Sequence, residues 1–353
     1  MSRVIISSVG TSLLRSLVGH EIDPEDMQAV GRFLEVEAQK ASAESNALSR
    51  VIRDKSDILY FLVSDTPEGQ LCGRLLAQFY SAQGHESESR VIKRLSNQSS
   101  GFVQYGLRNY VQELSDIIIK TQRNGVAVEI NNTGGFKAQV AYANVVGLIF
   151  RIPVFYIHEN FEDIVYMPKT PIQWDMSLFF ENESFFEWIE EDARTHQEVK
   201  QRQESHDERI QLLLDENTDG YTYLSPLGLA YLSSFRDEIE KHTSAPVWLS
   251  AQAMNDWQRF DASTREKFNR VIRPLKIEGL RRAQTKHMRQ GDVPVFPQGH
   301  RDERVYYIEH DDTVQKGVCI LEFTRHEWNY EKLFSRGVFR REYSVDKFIQ
   351  LSM

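Results

Sequence analysis

The sequence predicts an α/β protein: a parallel sheet covered by helices, then a charged helical connector, then a smaller α+β part with an antiparallel sheet. Three observations predict it. Apolar strand-like runs alternate with helical patterns through the first half, and a Glu-, Gln- and Arg-rich stretch follows. The last third then offers a short strand, two amphipathic helices and three strand-like runs in succession. At 353 residues the chain exceeds one ordinary core, and 26% charged with 41% hydrophobic residues excludes disorder as the overall class. The expected boundaries are 1–171, 172–244 and 245–353.

Arg3–Val9 is a short apolar run that ends in Gly10-Thr11-Ser12. Residues 57–64 (DILYFLVS) read as a strand buried on both faces. They end in Asp65-Thr66-Pro67, where Thr66 caps and Pro67 opens the next helix. Residues 88–95 give a weaker third strand with a polar loop over 96–101. Residues 126–130 give a fourth, ending in Asn131-Asn132-Thr133-Gly134-Gly135, and 154–158 a fifth. Helical patterns fill 25–53, 69–82, 102–121 and 136–149. Strand–helix–strand repetition implies parallel strands. All the polar, glycine-containing turns then share the carboxyl edge of a Rossmann-like sheet, where such sheets bind ligands.

Two cysteines, Cys72 and Cys319, exclude a disulfide framework and a four-thiolate zinc site, and suit a reducing cytoplasm. The N-terminus lacks the apolar core of a signal peptide. Residues 140–157 are the most apolar stretch, but Arg151 and Pro153 interrupt them, so no membrane span is expected. His196 and His206 lack metal-ligand spacing, and no metal or cofactor is expected. Residues 245–353 hold 19 basic and 15 acidic residues, whereas 1–244 hold 23 and 36. That asymmetry fits a tail that meets a polyanion and fits ordinary scatter equally well.

No dinucleotide or P-loop glycine spacing follows any strand. Asn131-Asn132-Thr133-Gly134-Gly135-Phe136-Lys137 stands there instead. Two glycines permit close backbone approach and expose amides at a helix start, while Lys137 adds positive charge. Thr, Ser and Asn in the other loops supply groups for sugar and base edges. The chemistry predicted is a phosphate-containing ligand.

The runs SSVGTSLL, INNTGGFKA and GLIFRIPVFYIHENFEDIVYMP resemble a CARF domain over residues 1–171. CARF domains are Rossmann-like sensors of type III CRISPR systems. The resemblance implies a homodimer that binds a cyclic oligoadenylate activator, with cyclic tetra-adenylate matching the two-fold symmetry. It implies ligand contacts from Gly10, Thr11, Ser12, Asp65, Thr66, Asn131, Thr133, Gly134, Gly135, Phe136 and Lys137. Some members cleave their activator through the matching serine and lysine, here Ser12 and Lys137. A lysine that only binds is an equal alternative.

The connector reads as a long charged helix over 185–214, a turn, and a second helix. Residues 224–232 (LSPLGLAYL) resemble winged-helix linkers that follow CARF sensors; the alternative is a helical dimerisation spacer.

Beyond it, PVWL begins a strand, Ser250 and Asp261 or Ser263 cap two amphipathic helices, and a basic stretch covers 281–289. Strand-like runs follow at 293–296, 304–310 and 317–323. This outline resembles the RelE toxin fold, and the whole chain resembles a CARF–RelE fusion, a CRISPR-associated mRNA interferase. The resemblance implies a cytoplasmic, metal-independent endoribonuclease that cuts mRNA in the ribosomal A site. Carried over, Arg304 matches the strand arginine, Arg325 or His326 the later arginine, and Tyr330 the C-terminal tyrosine. The family's lysine-bearing strand has no lysine here, which leaves His300, Arg301, Lys286 and His287 as open alternatives. A competing expectation is a ligand-responsive winged-helix transcriptional regulator, and a third is a ring nuclease with a degenerate tail.

Overall fold

The computed structural model describes residues 2–96, 101–158, 163–168, 174–203, 207–243, 245–299, 301–311, 316–344 and 347–351. The chain divides into two compact units, Met1–Trp174 with Glu187–Ser234, and Asp175–Phe186 with Phe235–Met353. His300 and His206 fall outside the described residues, as do 97–100 and 159–162.

In the first unit β1 (Arg3–Val9) leads into α1 (Ser12–Gly19), α2 (Met27–Val36), α3 (Ala38–Ala41) and α4 (Ala43–Val51). Next come β2 (Ile58–Ser64), α5 (Pro67–Ala82) and β3 (Ser87–Ile92). A π-helical segment (Phe102–Leu107) runs into α6 (Arg108–Arg123), followed by β4 (Ala127–Asn131), α7 (Lys137–Ile149), β5 (Val154–Tyr156) and β6 (Val165–Tyr166). The sheet order is β3-β2-β1-β4-β5-β6, parallel throughout except at the β6 edge. Every residue of β1 is buried, as a central strand between two helical layers requires. Its side chains alternate: Val4 and Ile6 pack with α6 and α7, Ile5 and Val9 with α1 and α5. The expected Rossmann-like parallel sheet is present.

The helix expected over 25–53 is three helices. Ser42 adopts an extended backbone, and its hydroxyl accepts from the Ser45 amide, which ends one helix and caps the next. At α5 Thr66 Oγ1 accepts from Gly69 N at 3.1 Å with Pro67 in the first turn, as the sequence predicts.

After α8 (Ser177–Glu181) and α9 (Glu183–Glu191) come β7 (Arg194–Thr195), α10 (His196–Gln203) and a 3-10 segment (Glu208–Leu213). Then β8 (Leu214–Glu216), β9 (Tyr221–Leu224) and α11 (Pro226–Lys241) follow. The three strands form an antiparallel sheet of order β7-β9-β8. This corrects the single charged helix expected over 185–214: Arg194 and Thr195 pair with Thr222 and Tyr221, which are distant in sequence. Arg194 Nη2 also donates to the Trp188 carbonyl at 2.8 Å. His196 shares a 2.7 Å hydrogen bond with Thr222 Oγ1 and so serves this sheet.

The second unit continues with β10 (Val247–Leu249), α12 (Ala251–Arg259), α13 (Ala262–Leu275), α14 (Glu278–Ala283) and β11 (Val295–Phe296). It ends with β12 (Arg304–Asp311), β13 (Lys316–Thr324), α15 (Tyr330–Arg336) and β14 (Ile349–Gln350). The sheet order is β11-β12-β13-β10-β14, antiparallel except for the parallel β10–β13 pair. Ser250 and Asp261 accept from the Ala253 and Thr264 amides at 3.0 and 2.6 Å and start α12 and α13. One sheet face carries an aromatic cluster of Trp257, Phe260, Phe268 and Phe323. The other packs Tyr306, Ile308 and Leu321 against Leu333 and Val338. No described helix is long and apolar enough to cross a membrane.

Candidate functional sites

The chain leaves β1 to one side for β2 and returns to the other side for β4, so the strand order reverses between β1 and β4. A parallel sheet opens a crevice at its carboxyl edge at such a point. The two loops there are Gly10-Thr11-Ser12 and Asn131 to Lys137. They touch: a Cβ on Gly10 would stand 3.3 Å from the Gly135 amide nitrogen. Gly135 has φ +92°, a backbone that requires glycine.

Asn131 is buried and anchors its loop, accepting from Thr133 Oγ1 at 2.7 Å and donating to Ser7 Oγ at 3.2 Å. Thr133 Oγ1 also accepts from Ile157 N at 3.2 Å, so its hydroxyl is used inside the fold. Phe136 donates its amide to Gln139 Oε1 at 2.8 Å, and Lys137 opens α7 with an exposed side chain. Thr11 is exposed, and Ser12 Oγ accepts from Ala43 N at 3.2 Å. Asp65 and Thr66 lie beyond β2. Asp65 accepts from Arg94 N at 3.0 Å, and Thr66 caps α5. Thus the crevice gathers Gly10, Thr11, Ser12 and Thr133–Lys137, while Asp65 and Thr66 order the neighbouring loops.

Sequence reading missed Glu44. Its carboxyl is buried beneath both loops, and Oε1 accepts from the Gly10 amide at 2.8 Å. Burial raises its pKa; the Gly10 bond and the Ser42 and Ser12 hydroxyls oppose that shift. The signal was present in the sequence: Ala41, Glu44, Leu48 and Val51 share helical spacing, so an acid occupies a core position. Arg94, whose guanidinium lies over the partly exposed Tyr105 ring at 4.3 Å, was missed as well.

In the second unit Arg304 is buried and pairs with Thr324 across β12 and β13. Its Nη2 donates to the Gly299 carbonyl at 2.7 Å, and its guanidinium lies 4.7 Å from the Tyr330 ring centre. The exposed His326 ring stands 4.6 Å from the same ring. Arg304 Nη1, Tyr306 OH and Thr324 Oγ1 are buried with no hydrogen-bond partner among the described residues. Buried polar atoms are normally satisfied, so three unpaired donors at neighbouring positions of β12 and β13 are an exception within this sheet. Desolvation, with Tyr330 adding to it, pushes the Tyr306 hydroxyl up to about 12, and it stays a donor. Tyr306 faces Glu322 in register, beside a β-bulge. Glu322 accepts from Tyr343 OH at 2.6 Å and meets Arg336 at 3.5 Å; burial raises its pKa against these two partners.

The other candidates separate. Arg325 is partly exposed at the end of β13. Arg301 pairs with Glu183 at 2.9 Å and lies over the Phe180 ring at 4.3 Å, so it fastens α8. Lys286 pairs with Val295, which pairs with Tyr306. Residues directly opposite share a face, so Lys286, Val295, Tyr306 and Glu322 form one cross-sheet row.

Residues 39–170 match the model of a CRISPR-associated protein family, Cas_APE2256. None of the curated proteins matches the chain. The matched span holds Glu44 and the Thr133–Lys137 loop.

Proposed function

We propose that the chain is a homodimeric, cyclic-oligoadenylate-gated endoribonuclease of CRISPR defence that cuts translated mRNA on the ribosome. One observation carries the reading: two touching glycine loops at the β1–β4 switch point, one of them inside the segment matched to a CRISPR-associated family. Such a crevice suits phosphates, which the exposed Lys137 at the start of α7 would meet. Ser12 and Lys137 are also the residues through which the crevice would degrade its own activator.

RNA scission needs a ribose 2′-oxygen to attack the adjacent phosphorus as the P–O5′ bond breaks. The 2′-proton leaves, a proton reaches O5′, and a 2′,3′-cyclic phosphate results. Arg304, with a donor unpaired among the described residues beside Tyr306 and Thr324, would hold the added negative charge. Tyr330 and His326 would position or transfer protons. The row position of Lys286 supports it as the cation that β11 lacks. For gating, the activator must bind the active arrangement more tightly than the resting one.

The test is purified protein with cyclic tetra-adenylate, mRNA and ribosomes, each omitted in turn. Strong cleavage in the full mixture and weak cleavage of free RNA are expected. Equal cutting of free RNA would refute ribosome dependence, and no cutting in any mixture would refute the nuclease.

A second reading, a ligand-responsive transcriptional regulator, draws on the β7-β9-β8 sheet, which with α9 and α10 has the element order of a winged helix. The segment before its hairpin, where a reading helix would lie, is the 3-10 run Glu208–Leu213. A duplex titration with and without the activator separates the two.

A further inference from the structure

We propose that Glu44 is the positioning residue of the switch-point crevice: its carboxyl latches the Gly10 loop to the Gly134 loop and sets the spacing that an anionic ligand meets. The inference rests on the reading of that crevice as an anion site, and it concerns a residue outside both loops.

Three geometric facts support it. Glu44 Oε1 holds the Gly10 amide at 2.8 Å. The same oxygen would stand 1.9 Å from a Cβ on Gly134, so that position is glycine because the carboxyl fills the space. The preceding residue, Ala43, donates its amide to Ser12 Oγ at 3.2 Å. The first turn of α4 therefore bonds two points of the first loop and packs directly beneath one of the second. Glu44 Oε2 is buried with no hydrogen bond of ordinary geometry among the described residues, an expensive state for an ionised group.

A buried acid under an anion site has a consequence for pH. The groups that face Glu44 are the Gly10 amide, the Ser12 and Ser42 hydroxyls and Gly134; Cys72 and Tyr80 of α5 feel its charge from further off. Phosphates brought near would disfavour the ionised carboxyl further, so ligand binding favours proton uptake. By linkage, affinity falls as pH rises through the range where Glu44 ionises, and glutamine in its place removes that dependence while preserving the bond to Gly10.

The first measurement needs no ligand: hydrogen exchange of the segments containing Gly10 and Gly134–Gly135 in wild type, Glu44→Ala and Glu44→Gln. Faster exchange of both segments together in Glu44→Ala, with Glu44→Gln near wild type, is expected; exchange unchanged in either segment overturns the latch. The second is titration of cyclic tetra-adenylate from about pH 5 to about pH 9, a window that covers raised carboxyl pKa values. Glu44→Ala should bind about tenfold more weakly, the worth of one hydrogen bond. Glu44→Gln should bind with a flattened pH profile. A Glu44→Gln profile as steep as wild type overturns the coupling. Wild type that fails to bind the ring, with the exchange result as expected, overturns the ligand reading and leaves the latch standing.

Discussion

Gly134→Ala tests how tightly the crevice floor is built. Gly134 does not need a left-handed backbone, so the cost of alanine there is steric. The new methyl would meet Glu44 Oε1 at 1.9 Å and the Ser8 carbonyl at 2.8 Å. Ordinary carbon contacts begin near 3.5 Å. Relief therefore needs roughly 1.5 Å of movement by the carboxyl and rather less by the loop. Overpacking of this kind costs about 1–3 kcal/mol. Moving the carboxyl also breaks its bond to Gly10, a further ~1 kcal/mol. The expected loss is about 2–4 kcal/mol of stability for the first unit, read from urea unfolding. Activator binding should weaken with it, because both loops shift. The double variant Gly134→Ala/Glu44→Ala removes the obstructing oxygen and should recover part of the loss. A single variant within about 0.5 kcal/mol of wild type, the range of ordinary surface changes, would refute the close approach of these groups.

Arg304→Ala should lower ribosome-dependent cleavage by about 10²–10³-fold, the scale for removing one transition-state donor. Arg304→Lys should restore little, since lysine lacks the planar fork that both lies over Tyr330 and reaches Gly299; single-turnover assays check this. Arg3 is buried between Asp57 at 2.9 Å and Glu129 at 3.0 Å. Arg3→Met strands two acids and should cost about 3–5 kcal/mol in denaturant melts. Burial works against ionised Asp57, but its bonds from Arg3 and the Arg53 amide prevail and lower its pKa. Its contribution is therefore present above the unfolded value of about 3.9 and lost as pH falls through the lower folded value. The variant should begin acid unfolding at a higher pH than wild type. Cys72 and Cys319 are buried, which pushes both thiols up to about 12, so neither should react with a thiol reagent until urea exposes them; mass spectrometry of labelled protein reads this.

Features written in local chemistry were legible. The run at Ile58–Ser64, the Thr66–Pro67 helix start and the glycines at 134 and 135 each state their structure within a few residues. Features made by distant pairing were not. Arg194–Thr195 is a strand only because Tyr221–Leu224 lies beside it, and its own sequence continues a charged helical pattern. β6 and β14 span two residues each, too short for any period to show. The break at Ser42 was hidden because Ala41 and Ala43 both favour helix, and only the extended backbone of Ser42 separates α3 from α4. The candidate sites divide the same way. Loop glycines were legible and Arg304 came only through the family resemblance, whereas Glu44 under the crevice and the Lys286–Val295–Tyr306–Glu322 row exist only once strands and helices are in register.

The central claim is that a nucleotide ring in the first unit switches on RNA cleavage in the second. Mapping the 5′ ends of mRNA on translating ribosomes, with and without cyclic tetra-adenylate, tests it most directly. Cuts at A-site codons that appear only with the ring, and vanish in Arg304→Ala and in a Lys137 variant unable to bind the ring, are predicted. The same ends with or without the ring, or none in either case, would contradict the account.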